Sequence, residues 1–247
     1  MGQRRTRLDV ELVRRGLAKS RERAQQLILA GRVRVNSRPA TKADMNVDSS
    51  VPIDVLPWEK EYASRGAYKL LAALDYFRLH LEGRRALDVG ASSGGFTDVL
   101  LRRGVSSVIA LDVGYGQLAL RLRQDPRVIV KERTNIRYVT QDDIPYAPDL
   151  VTIDVSFISL RLVLPPVLKL MSRPGDVIAL IKPQFEVGKG NVGKGGVVRD
   201  PSLQLAARDE ILNFARSIGL EVIGSLESPI LGDKGNKEFL TLLHLEQ

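Results

Sequence analysis

Apolar residues are spaced in two different ways along the chain. Near the N-terminus they fall at helical spacing, with Leu8 and Leu12 on one predicted helix face and Ala24, Leu27 and Ile28 on another. In the remainder, short continuous apolar runs alternate with helical segments, which is typical of strands buried on both faces of a parallel sheet. The pattern therefore predicts a small N-terminal unit followed by a larger α/β unit.

Two short helices and a hairpin make up the predicted N-terminal unit. Gly16 ends the first helix, Ser20 is the expected N-cap of the second, and Gly31 ends that helix. Arg and Val then alternate in RVRVNSRPAT, where the Asn-Ser pair predicts a tight turn between two strands. We assign residues 1–58 to this unit and residues 59–63 to a linker.

The α/β unit is expected over residues 64–247 as a Rossmann-like sheet covered by helices on both faces. A helix, FTDVLLRRG, follows the first strand. The predicted strands are ALDVGA, SSVIALDV, RVIVKE, DLVTIDVSF, DVIALIKPQF, LEVIGSLESP and EFLTLLHLE.

Composition narrows the class of protein. Of the 247 residues, 44% are hydrophobic, yet no apolar run approaches the roughly 20 residues of a membrane span. There are no cysteines and only two histidines, so we expect neither disulfides nor a metal centre. These features predict a soluble cytoplasmic protein, which we expect to be a monomer.

Positive charge is concentrated at the N-terminus. Residues 1–42 contain twelve Lys or Arg and three acids, a net charge of +9, whereas the whole chain carries +8. The rest of the chain is therefore near neutral. A basic unit joined to a neutral body indicates a separate module for a polyanion, and nucleic acid is the favoured partner.

A glycine-rich turn follows the first strand of the α/β unit. Its spacing, G-x-x-x-G-G, differs from the G-x-G-x-x-G of dinucleotide-binding turns. Asp112 ends the second strand, where a carboxylate can accept both ribose hydroxyls, and Asn135 follows the third, near an expected adenine. We favour S-adenosylmethionine over a dinucleotide or no ligand. The residues expected to contact it are Asp88, Gly90, Ala91, Ser92, Gly94, Gly95, Phe96, Asp112, Val113, Asn135 and Asp154.

Four charged residues stand where core packing does not require them. Lys69 lies in the helix before the first strand, Asp154 ends the fourth strand, Lys182 ends the fifth and Glu238 begins the last. Ligands of open α/β sheets gather at the carboxyl ends of the strands. We therefore predict that the four residues form a catalytic group.

Both units resemble known families. RLDVELVRRGLAKSRERAQQLILAGRVRVN is similar to S4-type RNA-binding domains, and the Lys-Asp-Lys-Glu group matches that of FtsJ-like ribose 2′-O-methyltransferases. With SRGAYKL, DVGASSGGFTDVLL, DVSFISL and KPQFEVGKG, nearly the whole chain resembles the TlyA family of ribosomal RNA cytidine 2′-O-methyltransferases, whose members are also named haemolysins.

The resemblance implies methyl transfer from S-adenosylmethionine to a cytidine ribose of ribosomal RNA. Members that modify both ribosomal subunits tend to carry an extra C-terminal segment, so 23S RNA is the first expectation and 16S RNA the second. The residues expected to contact RNA are Arg4, Arg5, Arg7, Arg14, Arg21, Arg23, Arg34 and Lys189.

A ribose hydroxyl is a weak acid, so the predicted chemistry is positioning and proton removal. We assign Lys182 as general base or polarising group, oriented by Asp154, with Lys69 as a neighbouring charge held by Glu238. Which lysine is neutral stays open. The segment VGKGNVGKGGVVRD is expected to be a substrate lid, whereas Phe157 and Phe185 are expected in the core.

Three alternatives to this function are considered. A non-catalytic RNA-binding or ribosome-assembly factor would keep the fold without the chemistry. A pore-forming haemolysin would need export and membrane-inserting segments. Methylation of transfer RNA or of messenger caps would use the same catalytic group on another RNA.

Overall fold

The computed structural model describes residues 5–29, 31–56 and 62–246. The chain divides into two compact units, Met1–Glu61 and Tyr62–Gln247. Residues 59–61 of the predicted linker lie outside the described residues. Its last two, Tyr62 and Ala63, belong to the second unit, where the Ala63 amide donates to Asp98 Oδ2 at 2.9 Å.

The N-terminal unit contains the predicted helices and hairpin together with three further strands. Its elements are β1 (Arg5–Arg7), α1 (Leu8–Arg14), α2 (Arg21–Leu29), β2 (Val33–Val35), β3 (Arg38–Pro39), β4 (Asn46–Asp48) and β5 (Ile53–Val55). The pair β1–β4 is antiparallel, and β3, β2 and β5 form a second small sheet in that order. The strands β1, β4 and β5 were not predicted because each has only three residues and, unlike β2 and β3, is not joined to its partner by a recognisable tight turn.

The helix cap and the hairpin turn that the sequence predicts in this unit are both present. Ser20 Oγ accepts a hydrogen bond from the Arg23 amide at 3.2 Å and so caps α2. Asn36 and Ser37 have φ values of 50° and 63°, which matches the twist of a tight hairpin turn. The apolar faces of α1 and α2 pack into one small core that includes Leu8, Leu12 and Ile28.

The second unit is built around one seven-stranded sheet. Its elements are α3 (Ala67–Phe77), β6 (Arg85–Val89), α4 (Gly95–Arg102), β7 (Ser107–Leu111), α5 (Leu120–Arg123), β8 (Val128–Lys131), β9 (Leu150–Ile153), α6 (Leu160–Leu170), β10 (Gly175–Ile181), α7 (Pro201–Ser217), β11 (Glu221–Glu227) and β12 (Phe239–Leu245). The sheet order is β11-β12-β10-β9-β6-β7-β8. Because the strands are buried on both faces, their sequences are nearly continuous apolar runs.

One strand departs from the predicted parallel arrangement. The strands β6 to β10 are mutually parallel, but β12 is antiparallel to both of its neighbours, β10 and β11. No crossover helix separates β11 from β12, so the chain reverses direction there. The start of β12 therefore lies at the same edge as the carboxyl ends of the parallel strands.

Helices cover both faces of the sheet. On one face, α3 and α4 pack against Ala86 and Val108, which alternate along their strands with residues of the opposite face. On the other face, α6 and α7 pack against Leu87, Val151 and Ile153. This three-layer arrangement fixes the strand ends that carry the candidate site.

Neither a membrane-spanning helix nor a metal-binding cluster is present among the described residues. Within the described ranges, no helix is both long and apolar enough to cross a membrane. The same residues contain no group of three or more His, Asp or Glu side chains placed to hold a metal ion.

Candidate active site

The order of the sheet reverses between β6 and β9, and ligands of open α/β sheets bind at such a switch point. Gly90 follows β6 with a φ of +85°, and a Cβ there would lie only 2.4 Å from the backbone oxygen of Asp154. A residue larger than glycine would force the two strand ends apart. The glycine therefore keeps the turn after β6 directly against the end of β9.

A cavity of about 220 Å³ opens at this switch point. Six of the residues that line this cavity were predicted to bind the cofactor, and Lys69 lines it as well. Four other lining residues were not singled out from the sequence: Ser93, and Ser64, Arg65 and Gly66, which begin the SRGAYKL motif. The lining residues are Ser64, Arg65, Gly66, Lys69, Gly90, Ala91, Ser92, Ser93, Gly95, Phe96 and Asp154.

The four charged residues form two ion pairs. Lys69 Nζ lies 2.5 Å from Glu238 Oε2, and both side chains are buried. Lys182 Nζ lies 2.6 Å from Asp154 Oδ1, and the Lys182 side chain is also buried. Each lysine thus has its own carboxylate, and Lys69 and Asp154 face the same cavity.

The reversed strand β12 brings Glu238 to the catalytic edge. In the antiparallel pair of β10 and β12, Ile181 lies opposite Phe239. The next residue along β10 is Lys182, and the residue before Phe239 is Glu238. A fully parallel sheet would have placed the beginning of this strand at the far edge.

Ser156 is a polar partner of Lys182 that the sequence analysis missed. Lys182 Nζ donates to Ser156 Oγ at 3.0 Å, whereas its contact with Asp154 Oδ1 is short but not aligned as a hydrogen bond. The lysine is therefore held by one directed hydrogen bond and one ionic contact. The DVSFISL motif contains this serine two residues after Asp154, but spacing alone does not distinguish it from an ordinary loop residue.

Asp112 contacts the backbone of two turns. Its Oδ2 accepts from the Ser92 amide at 2.8 Å, and its Oδ1 accepts from the Gly114 amide at 2.7 Å. A carboxylate has about four lone-pair directions, so acceptor capacity remains for a ribose. Val113, next in the chain, is exposed.

Asn135 lies apart from the Gly-rich turn. It lines a separate cavity of about 370 Å³, together with Lys131, Tyr138 and Asp143 among others. Its side-chain oxygen accepts from the Arg137 amide at 3.1 Å and so caps a short 3₁₀ turn. The structure places it beyond β8, two strands away from Gly90 in the sheet.

Five of the eleven residues predicted to contact the cofactor are not among those that line this cavity: Asp88, Gly94, Asp112, Val113 and Asn135. Asp88 is fully buried and accepts hydrogen bonds from the hydroxyls of Thr97, at 2.6 Å, and Thr152, at 2.9 Å. Burial raises the pKa of Asp88 to about 6. A Cβ at Gly94 would meet Leu122 Cδ1 at 2.3 Å, so this glycine serves helix packing.

The prediction for Phe157 is also wrong. Its side chain is 91% exposed, and its φ of 63° lies in the left-handed region that is unfavourable for a bulky residue. Its ring lies 5.2 Å from that of Phe185, which is half-buried. Sequence reasoning placed an aromatic residue after a buried strand in the core, but the strained turn at the strand end points it outward.

The predicted RNA-contacting arginines separate into two kinds. Arg34 is exposed on β2, as is Arg5 on β1. The arginines at positions 7, 14 and 21 are exposed as well, but each also forms an ion pair with a buried acid of its own unit: Arg7 and Arg21 contact Asp9, and Arg14 contacts Glu11. Arg23 donates to Gln26 Oε1 at 3.3 Å. Arg4 and the side chain of Lys189 lie outside the described residues.

These ion pairs lower the pKa values of the two buried acids. The main cause for Asp9 is its hydrogen bonds with Arg7, and the pKa falls far below the ordinary range. Hydrogen bonds from Arg14 lower the pKa of Glu11 to about 2. The acids thus stay charged, and part of the positive charge of this unit is neutralised internally.

Comparison with known structures gives the fold first. The α/β fold of this chain is similar to that of NodS from Bradyrhizobium japonicum, an N-methyltransferase solved with S-adenosyl-L-homocysteine. The TM-score is 0.52 at 12% identity, over 77% of this chain and 92% of that one, so the likeness shows the fold alone.

Sequence models and close relatives then give the family. Residues 62–245 match the FtsJ-like methyltransferase model, and residues 6–53 match the S4 domain. The chain is 50% identical to the 16S/23S rRNA (cytidine-2′-O)-methyltransferase TlyA of Mycobacterium tuberculosis, over 98% of this chain and 91% of that protein. A haemolysin-named structure from Streptococcus thermophilus has a TM-score of 0.76 at 39% identity, covering 100% of this chain and 90% of that one. The chain belongs to the TlyA family of FtsJ-like methyltransferases.

Proposed function

We propose that this protein transfers a methyl group from S-adenosylmethionine to the ribose 2′-hydroxyl of a cytidine in ribosomal RNA. The observation that carries the proposal is the pairing of buried Lys182 with half-buried Asp154 and of buried Lys69 with buried Glu238 at one edge of the sheet. The cytidine and the ribosomal substrate are taken from the activity in the name of the M. tuberculosis relative.

The cavity residues suit S-adenosylmethionine. No side chain fits at position 90, so the backbone of the glycine-rich turn can approach a ligand closely. The N-terminus of α4 comes directly after this turn. Ser92, Gly95 and Asp154 offer polar contacts to an amino-acid end, while Asp112 offers acceptors to a ribose. When bound, S-adenosylmethionine supplies a methyl group on a sulfonium, which is a good leaving group.

The lysines then have distinct roles. Lys182 ends β10 at the catalytic edge and is held from two sides by Asp154 and Ser156. Its ammonium group first releases a proton to solvent, and the neutral amine then takes up the proton of the ribose hydroxyl as the oxygen receives the methyl group. Lys69, fixed by Glu238, provides a positive charge beside the site. Holding these groups before the substrate arrives lowers the reorganisation needed at the moment of reaction.

Phe157 is proposed to support the base of the target nucleotide. An exposed aromatic ring three residues after Asp154, braced by Phe185, is available for stacking on a base. Stacking of this kind contributes about 1–3 kcal/mol per base and is tolerant of sequence. The positive φ of Phe157 is consistent with a functional constraint on its orientation.

The basic N-terminal unit is proposed to bind the ribosomal RNA. Its S4 domain carries exposed arginines on β1 and β2, and helical RNA is recognised mainly through shape and backbone contacts. An RNA-binding protein without catalytic activity would keep this unit but would not need the two ion pairs of Lys69 with Glu238 and of Lys182 with Asp154. Haemolysin is the name of some relatives. The name describes those proteins, and no contact described in this chain supports the same activity here.

The test is to incubate the protein with S-adenosylmethionine and either 23S or 16S RNA within their subunits, and to map ribose methylation nucleotide by nucleotide. We expect methylation of a cytidine 2′-hydroxyl, with 23S RNA as the first substrate. Transfer RNA and capped messenger RNA serve as comparison substrates. Methylation only on a base, or no transfer to either subunit, would rule the proposal out.

A further inference from the structure

The glycine-rich segment of residues 187–199 is attached to the catalytic edge at both ends. It begins five residues after Lys182, where the Val187 amide donates to the Pro183 oxygen at 3.1 Å. In its middle, the Gly193 amide donates to the Val197 oxygen at 3.1 Å, which folds the segment back on itself. Lys194 and Arg199 are exposed on it.

Two side chains hold the far end of this segment. Gln204 Nε2 donates to the Val198 oxygen at 2.7 Å, and Asn236 makes the other contacts. Asn236 is 3% exposed. Its Oδ1 accepts from the Val198 amide at 3.1 Å, and its Nδ2 donates to the Gly196 oxygen at 2.9 Å and to the Asp233 oxygen at 3.1 Å. The amide therefore joins the glycine-rich segment to the loop that precedes β12.

That loop also surrounds the carboxyl group of Glu238. The Gly232 amide donates to the Asn236 oxygen at 2.8 Å, which closes the loop. A Cβ at Gly232 would lie 1.9 Å from Glu238 Oε1, so the backbone itself touches the carboxylate that pairs with Lys69. A shift of Asn236 would change this close packing.

We propose that Asn236 is a positioning residue that couples the glycine-rich segment to the Glu238–Lys69 pair. This inference rests on the proposed function, because it assumes that the pair takes part in methyl transfer to RNA. RNA phosphates held by Lys194 and Arg199 fix the segment, and the Asn236 amide transmits that position to the loop around Glu238. Binding of RNA thereby holds the preformed Glu238–Lys69 pair in its catalytic position.

Asn236→Asp is the sharpest variant because it keeps the shape and the oxygen that accepts from Val198. It removes both donated hydrogen bonds and sets an oxygen against the carbonyls of Gly196 and Asp233. We expect the single-turnover methylation rate at saturating RNA to fall at least about tenfold, as misplacement of a positioned group does. Affinity for S-adenosylmethionine should change by less than about threefold, because cofactor contacts lie elsewhere. Asn213→Asp, on the exposed face of α7, is the matched control and should leave the rate unchanged.

A double-mutant cycle separates coupling from a merely structural role. In the wild-type background, Lys194→Ala should slow single-turnover methylation at saturating RNA. In the Asn236→Asp background the same change should have little further effect, because the position of the glycine-rich segment no longer influences the loop around Glu238. If Asn236→Asp melts below the assay temperature, Asn236→Ser, which keeps a donor and an acceptor in less volume, takes its place in the cycle.

Multiplicative effects of the two changes would overturn the inference. So would an unchanged rate for Asn236→Asp, or a loss of rate that is matched by loss of S-adenosylmethionine binding. Failure of the proposed function would look different, since the wild type would then transfer no methyl group to ribose or Lys182→Ala would remain active.

Discussion

At the scale of single residues, burial decides what each acid in the α/β unit can do. Asp88 is fully buried between two threonine hydroxyls, and its pKa is raised to about 6 from an ordinary value near 3.8. The folded protein therefore holds a proton that the unfolded chain has released between about pH 4 and pH 6. Stability falls as the pH rises through that window and stays lower above it.

Asp88→Asn should remove this dependence. An asparagine can accept from one threonine hydroxyl and donate to the other, so the variant keeps the hydrogen bonds without the buried charge. We expect the free energy of unfolding of the variant, relative to the wild type, to increase by up to about 3 kcal/mol between pH 4 and pH 7. Denaturant unfolding at a series of pH values measures it, and a constant difference across the window would show that Asp88 is not titrating there.

Asp112 should matter for cofactor affinity. Its replacement by Ala removes the acceptors expected to meet a ribose and also releases the amides of Ser92 and Gly114. We expect S-adenosylmethionine binding to weaken by about 1.5–3 kcal/mol, the range for hydrogen bonds to a charged group. Calorimetry provides the measurement, and Asp209→Ala on the surface of α7 is the control. Equal affinity for wild type and Asp112→Ala would leave Asp112 a purely structural role.

Residue type and position made the four charged residues predictable. Asp154, Lys182 and Glu238 stand at the ends of buried strands, and Lys69 stands in a helix beside the sheet, where core packing does not require a charge. Ser156 and Phe157 were not predictable in the same way. The bond from Lys182 to Ser156 and the outward turn of Phe157 depend on backbone angles after β9, which the sequence does not display. Asp88 was placed in the cofactor site by its distance from Gly90, although strand alternation turns its side chain into the core.

At the scale of elements, the main difference from prediction is the direction of β12. The periodicity of an apolar strand does not reveal its direction, and only the missing crossover helix between β11 and β12 indicates a reversal. The order of helices and strands and the three-layer arrangement were predictable from apolar runs and capping residues. The strands β1, β4 and β5 were too short to predict.

Within the N-terminal unit, the two kinds of arginine should respond differently to mutation. Arg34→Ala, on β2, should weaken ribosomal RNA binding, reduce the salt slope of log K by about one and leave the melting temperature unchanged. Arg7→Ala should instead lower the melting temperature, because Asp9 loses its principal ion-pair partner while buried. Filter binding at several salt concentrations and thermal unfolding distinguish the two. Identical behaviour of both variants in both assays would refute the division.

At the scale of the whole molecule, RNA binding and chemistry are assigned to different units. A chain trimmed to residues 62–247 should keep S-adenosylmethionine affinity, because every proposed cofactor contact lies within it. It should lose most ribosomal RNA affinity, since the excess positive charge lies in residues 1–42. Binding of the full chain should fall steeply with salt through counterion release. Equal RNA affinity for both chains would show that the α/β unit recognises the substrate by itself.

The most direct measurement is single-turnover methylation of ribosomal RNA by Lys182 variants, with binding of both ligands measured alongside. Lys182→Ala should reduce the rate by roughly 10²–10⁴-fold, the range for a general base, while both affinities stay nearly unchanged. Lys182→Arg should be almost as slow, because a guanidinium stays protonated and cannot take up the hydroxyl proton. Substantial activity of the Arg variant, or parallel loss of rate and binding in the Ala variant, would show that Lys182 holds the substrate electrostatically and does not remove its proton.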